Sequence, residues 1–100
     1  ISATAGAPIA ELALAPVAPN PTSGRARVDF TIPRETRLRL SILDLQGREV
    51  AVLANGPQHA GRFQVTWSGS DGDRAVPPGL YFVRLWTPHE NRVERIVVAR

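Results

Sequence analysis

Pro77-Pro78-Gly79-Leu80-Tyr81-Phe82-Val83-Arg84-Leu85-Trp86 is the stretch that decides the fold. Proline holds φ near about −65° and glycine accepts positive φ, so Pro78-Gly79 suits a corner where the chain reverses. Beyond it, Tyr81, Val83 and Leu85 share one face of a strand, while Leu80, Phe82, Arg84 and Trp86 share the other. A strand apolar on both faces is expected in the middle of a sheet, with neighbours on both edges. The stretch therefore predicts a central strand over 77–86 in an all-β domain.

Working outward, Trp67-Ser68-Gly69-Ser70-Asp71-Gly72-Asp73 reads as an exposed loop. It is entered from a strand in which Phe63, Val65 and Trp67 alternate with Arg62, Gln64 and Thr66. Further back, Arg25 to Ile32 alternates Val28, Phe30 and Ile32 with Arg27, Asp29 and Thr31, and Pro33 stops it. Arg37 to Leu45 sends Leu38, Leu40 and Ile42 to the core and Arg37, Arg39 and Ser41 to water. Leu45-Gln46-Gly47-Arg48 turns tightly into Glu49 to Leu53, where Val50 and Val52 alternate with Ala51 and Leu53. Asn55-Gly56-Pro57 reads as a turn, and Pro88-His89-Glu90-Asn91 turns into a last strand near Arg92 to Ala99. Ala10 to Ala15 is a candidate first strand, confined to a sheet edge by Pro16 and Pro19, which lack ladder donors. One-sided strands with no helical period predict an Ig-like antiparallel β-sandwich of about seven strands. Residues 1–9 read as a linker or N-terminal arm and 10–100 as the domain.

One hundred residues with 43% hydrophobic content suit a single core, burying roughly 65% of the unfolded surface. Cysteine is absent, so neither a disulfide nor a thiolate metal site holds the fold. All 12 basic residues are Arg, set against 9 acidic ones for a net charge of +3. The acids are interspersed with the arginines, so no nucleic-acid surface is predicted. No apolar run reaches the length of a membrane span. The first residue is Ile, from which a processed product or a fragment is expected.

Catalysis needs a nucleophile, a base and an orienting group that converge. His59 and His89 each fall in a predicted turn, and no serine sits in an elbow motif. The reading is non-enzymatic, with no cofactor. Asp71-Gly72-Asp73 offers two carboxylates without a calcium-loop pattern and reads as an Asx-type turn, so no metal is predicted. The Leu80, Phe82, Trp86 face stays open between two readings: buried under an arm or strand, or a patch for a partner.

The order of motifs carries a resemblance. Pro19-Asn20-Pro21 precedes the strand ending at Ile32. Leu40-Ser41-Ile42-Leu43-Asp44-Leu45-Gln46-Gly47-Arg48-Glu49-Val50 comes next, then Gly61 to Gly69 around Trp67, then Val76 to Leu85 with Gly79, Tyr81 and Arg84, then Arg95-Ile96-Val97-Val98. This series resembles the type A C-terminal sorting domain of proteins exported by the bacterial type IX secretion system. It is also similar to the Ig-like domain of the flagellar hook-capping protein. The resemblance spans roughly residues 12–100 and implies a β-sandwich at the end of an exported precursor. Such a domain is recognised by secretion machinery and ends up outside the cell or on its outer surface. The chain's end at Arg100, directly after the last strand, fits that expectation. Protein partners are implied. The alternative reading is a structural subunit of a surface polymer, assembling through its apolar N-terminal arm by adding a strand to a like subunit. Candidate interaction residues across the two readings are Ile9, Leu12, Leu14, Phe82, Trp86, Arg95 and Arg100.

Overall fold

Strands with one apolar side must pair their inner faces, and here they do so in two sheets. The computed structural model describes residues 11–100. Its strands in chain order are β1 (Ala13–Leu14), β2 (Ala26–Ile32), β3 (Thr36–Leu43), β4 (Glu49–Gln58), β5 (Gly61–Trp67), β6 (Ser70–Asp71), β7 (Arg74–Ala75), β8 (Gly79–Trp86) and β9 (Asn91–Val98). One sheet has the order β1-β2-β5 and the other β4-β3-β8-β9, with β6 and β7 forming a small separate hairpin. All these pairings are antiparallel. The fold is the Ig-like sandwich that the alternation predicts, and β8 lies between β3 and β9, as its two-sided apolar sequence requires.

The core follows from side-chain parity. Val28, Phe30 and Ile32 of β2 and Trp67 of β5 meet Leu38, Leu40 and Ile42 of β3. Tyr81, Val83 and Leu85 of β8 join them, with Ile96 and Val98 of β9. Burying each such aliphatic side chain is worth about 1.5–3 kcal/mol, so this shared layer dominates the stability.

Four expectations are corrected. Asn55-Gly56-Pro57 is not a turn but the second half of β4, paired with Arg39, Leu38 and Arg37. An edge strand tolerates Pro57 because one side of its ladder makes no bonds. The alternation of β4 also breaks. Register shifts opposite Leu40/Ser41 and Ile42/Leu43 make Val50 a core residue and leave Val52 46% exposed. Each extra residue of a bulge reverses the facing of the residues beyond it. Ser41, expected in water, is fully buried on the outer side of β3. The stretch after Trp67 is not simply an exposed loop: it contains the β6–β7 hairpin, and Gly69 is buried.

One end of the sandwich is closed by backbone contact. Gly69 has φ +80°, and a Cβ there would lie 2.5 Å from the carbonyl oxygen of Gly24. Over this junction the Arg100 guanidinium donates to the carbonyls of Ser23 (3.1 Å), Gly69 (3.0 Å) and Val76 (3.0 Å). Three chain segments are thereby held by one side chain. Gly47 has a similar φ of +86° but open space around it. Gly69→Ala is therefore expected to cost roughly 3 kcal/mol from backbone strain plus collision. Gly47→Ala should cost only about 1–2 kcal/mol, the left-handed penalty alone. Urea denaturation of the two variants checks this, and equal losses would show that the Gly24 contact carries no weight.

Candidate interaction face

Two groups of motif residues build the frame on which the candidate face sits. Asp44 organises the β3–β4 turn: its Oδ1 accepts the N–H groups of Gln46 (3.0 Å) and Arg48 (2.9 Å), and its Oδ2 accepts Arg48 Nε (3.1 Å). Arg48 reaches on to Asp71 (3.3 Å) and so ties this hairpin to the β6–β7 hairpin. Trp67 and Tyr81 pack with ring centroids 5.9 Å apart. The indole N–H donates to the Ser70 carbonyl and the phenol to the Pro77 carbonyl, so both polar tips are satisfied where the rings are buried. Gly79 opens β8.

Pro19, Asn20 and Pro21 guard an edge. Both X-Pro bonds here, Ala18-Pro19 and Asn20-Pro21, are cis. The Asn20 amide donates to the Arg95 carbonyl and accepts the Val97 N–H, each at 2.9 Å, taking the place of a neighbouring strand. Thr22 continues the cover: its N–H donates to the Val97 carbonyl, and its carbonyl accepts the Ala99 N–H.

The outer face of the four-stranded sheet gathers several of the candidate residues. Along β8 it presents Leu80, Phe82, Arg84 and Trp86, which stand beside Val97, Arg95, Val93 and Asn91 of β9. On the other flank, Phe82, Arg84 and Trp86 pair with Leu43, Ser41 and Arg39 of β3. Trp86 is 41% exposed, Val93 53% and Val97 36%, while Leu80 and Phe82 are half-buried. No strand of the described residues covers this face. At its centre, Arg39 forms a bidentate pair with Glu49 at 2.7 Å for each bond, and Arg84 approaches the same carboxylate at 3.7 Å. Two guanidinium groups thus share one carboxylate on a face that also carries Leu80, Phe82, Trp86, Val93 and Val97, and Arg95 stands beside Phe82 on the same side. Such a face suits contact with a protein surface that combines apolar side chains and acidic groups.

The remaining candidates lie elsewhere. Leu12 and Leu14 are core residues, and Arg100 is at the end of the sandwich, bound to carbonyls. Ile9 lies outside the described residues. His59 packs against Phe63 at the β4–β5 turn, with centroids 5.5 Å apart, and His89 sits in the β8–β9 turn beside Thr87. Among the described residues no His, Asp and Glu side chains gather as a metal set. No helix among them is long and apolar enough to cross a membrane. Val52, Val93 and Val97 were missed by sequence reasoning. The signal was present for Val97, which lies between the equally apolar Ile96 and Val98, whereas Val93 lies between Arg92 and Glu94.

Residues 19–87 match the FlgD Ig-like domain family. No curated protein sequence matches the chain. Among solved structures the chain is similar to dimeric latent PorU from Porphyromonas gingivalis, with a TM-score of 0.59 and 21% identity. The match covers 92% of this chain and 10% of PorU, so the chain spans about a tenth of that protein's length. At this identity the likeness concerns the fold.

The face and its frame carry a pH signature. Glu49 is held below the usual carboxylate value of 4.5, chiefly by its hydrogen bonds to Arg39. Asp44 is held below 3.8, chiefly by the Arg48 backbone N–H. A lowered folded-state pKa stabilises the fold fully above the unfolded value, and that contribution is lost as pH falls through the folded value. Urea midpoints should therefore be level from neutral pH down to the ordinary carboxylate range and decline below it. Glu49→Gln and Asp44→Asn together should start lower and decline less steeply; acid limbs parallel to the wild type would contradict the assignment.

Proposed function

The chain belongs to the FlgD Ig-like domain family, and from that premise we propose that it is a non-enzymatic sorting or anchoring module of an exported bacterial protein. In this reading it docks on secretion machinery through the outer face of the four-stranded sheet and acts outside the cell or at its outer surface. The observation that carries the proposal is the exposure of Trp86, Val93 and Val97 on a sheet face whose other strands are well ordered by Arg39, Glu49 and Arg84. Apolar side chains at these positions contribute nothing to the core, whose members lie on the opposite side of β8 and β9. The motif order supports the export role through its resemblance to type A sorting domains. The family supports a structural module whose work is protein contact. The polymer alternative depends on an arm that falls largely outside the described residues.

The test is a fusion of this chain to the C-terminus of a secreted reporter in a bacterium that has a type IX system. Wild-type fusion should bring the reporter to the medium or cell surface. Trp86→Ala with Val93→Ser should reduce that delivery severalfold while leaving the urea midpoint of the purified chain nearly unchanged, because both side chains are outside the core. Failure of the wild-type fusion to leave the periplasm would sink the sorting role. Unimpaired export of the double variant would instead move the docking surface away from this face.

A further inference from the structure

The charge of the chain is segregated. By side-chain parity, Arg37 and Arg39 of β3, Arg84 of β8 and Arg95 of β9 stand on the outer face of the four-stranded sheet. Among the described residues, Glu49 of β4, opposite Leu43, is the one acidic side chain on that face. The face is therefore three charges positive, which equals the net charge of the whole chain, +3. Everywhere else arginines and acids match one for one. Residues 1–10 carry no charged side chain and so add no carboxylate to this balance.

Most of that positive charge is left unanswered within the fold. Arg39 is satisfied by both oxygens of Glu49, at 2.7 Å each. Arg84 only approaches the same carboxylate, at 3.7 Å, and its Nε is buried with no acceptor among the described residues. Arg37 and Arg95 are exposed, and among the described residues no carboxylate pairs with either. Away from this face the pattern differs: Arg27, Arg48 and Arg92 each have a carboxylate, at 3.4, 3.1 and 2.8 Å. The unanswered arginines also stand among apolar side chains. Phe82 lies opposite Arg95 and Arg84 lies opposite Val93, so cationic and apolar positions alternate both along and across β8 and β9.

We propose that this face receives an acidic protein surface, whose carboxylates seat on Arg84 and Arg95 while its apolar side chains pack on Phe82, Trp86 and Val93. The proposal rests on the reading of this face as the docking surface and adds the chemistry of what docks there. A neutral or basic partner would bury guanidinium groups without acceptors, and an uncompensated buried charge is costly. An acidic partner supplies the acceptors, and a carboxylate can take two parallel bonds from each guanidinium. Opposite charge also speeds the encounter and excludes basic surfaces. A polyanion without apolar groups, such as an acidic polysaccharide, would answer the arginines and leave Phe82 and Val93 without cover. The alternation of charge with apolar area is what selects a protein.

The probe is a random copolymer of glutamate and tyrosine, with a lysine–tyrosine copolymer and polygalacturonate as comparisons. Each is titrated into the isotope-labelled chain at about 0.15 M salt, where the screening length is about 8 Å. The glutamate–tyrosine copolymer should bind and move the Trp86 indole N–H resonance. That of Trp67, buried and donating to Ser70, should stay in place. Arg95→Glu should weaken binding roughly tenfold or more. Arg25→Glu makes the same change of charge just before β2, on a sheet about 10 Å behind the face, and should weaken it less than about twofold. Both arginines are exposed, and urea midpoints confirm that each variant folds. Equal losses in the two variants would reduce the effect to net charge and overturn the proposal. Equally tight binding of the lysine copolymer would do the same, and equally tight binding of polygalacturonate would assign the face to a polysaccharide instead. The export assay fails separately: export that needs Trp86 and Val93 in a chain that ignores the glutamate copolymer keeps the docking face and removes the acidic partner.

Discussion

Trp67 and Tyr81 meet between the sheets, 5.9 Å apart, and much of the molecule is fixed by that contact. Each ring buries a large apolar surface and must also satisfy one polar atom. The indole does so at Ser70 and the phenol at Pro77, the two shoulders of the segment that carries the chain from one sheet to the other. Burying the rings therefore shapes that crossing as well as the core. The segment then lies where Gly69 can touch Gly24 and where Arg100 can reach three carbonyls.

From this packing the two faces of β8 acquire different roles. Tyr81, Val83 and Leu85 are committed to the core, which leaves Leu80, Phe82, Arg84 and Trp86 to line the outer side. Arg39 and Glu49 hold the centre of that side as a bidentate pair, and Ser41, opposite Arg84, is buried. Charge and apolar surface are thus interleaved on a rigid sheet rather than on mobile loops. This arrangement positions contacts well for recognition.

The edges show a complementary economy. Asn20 uses a side-chain amide where a strand would use its backbone, and β4 uses bulges and Pro57. β5 stays regular because it supplies Phe63, Val65 and Trp67 to the interior, and a bulge there would turn Trp67 away from Tyr81.

The sandwich, the central place of residues 77–86 and the strands with clean alternation were legible in the sequence. Period-two patterning and turn chemistry are local properties, written in residues such as Val28, Phe30 and Ile32 or Asp44 and Gly47. It also showed that Phe82 and Trp86 share a face. Tertiary structure alone decided the rest. Asn55-Gly56-Pro57 has the composition of a turn and becomes strand because β3 offers it partners. Val52 faces outward because bulges reverse its parity, and Ser41 is buried on the outer side of β3, between Val52 of β4 and Arg84 of β8. Leu12 and Leu14 belong to the core rather than to a surface, and Arg100 belongs to a junction of three distant segments. Each of these depends on a neighbour far away in the chain, and a pattern of nearest residues carries no record of which neighbour that is.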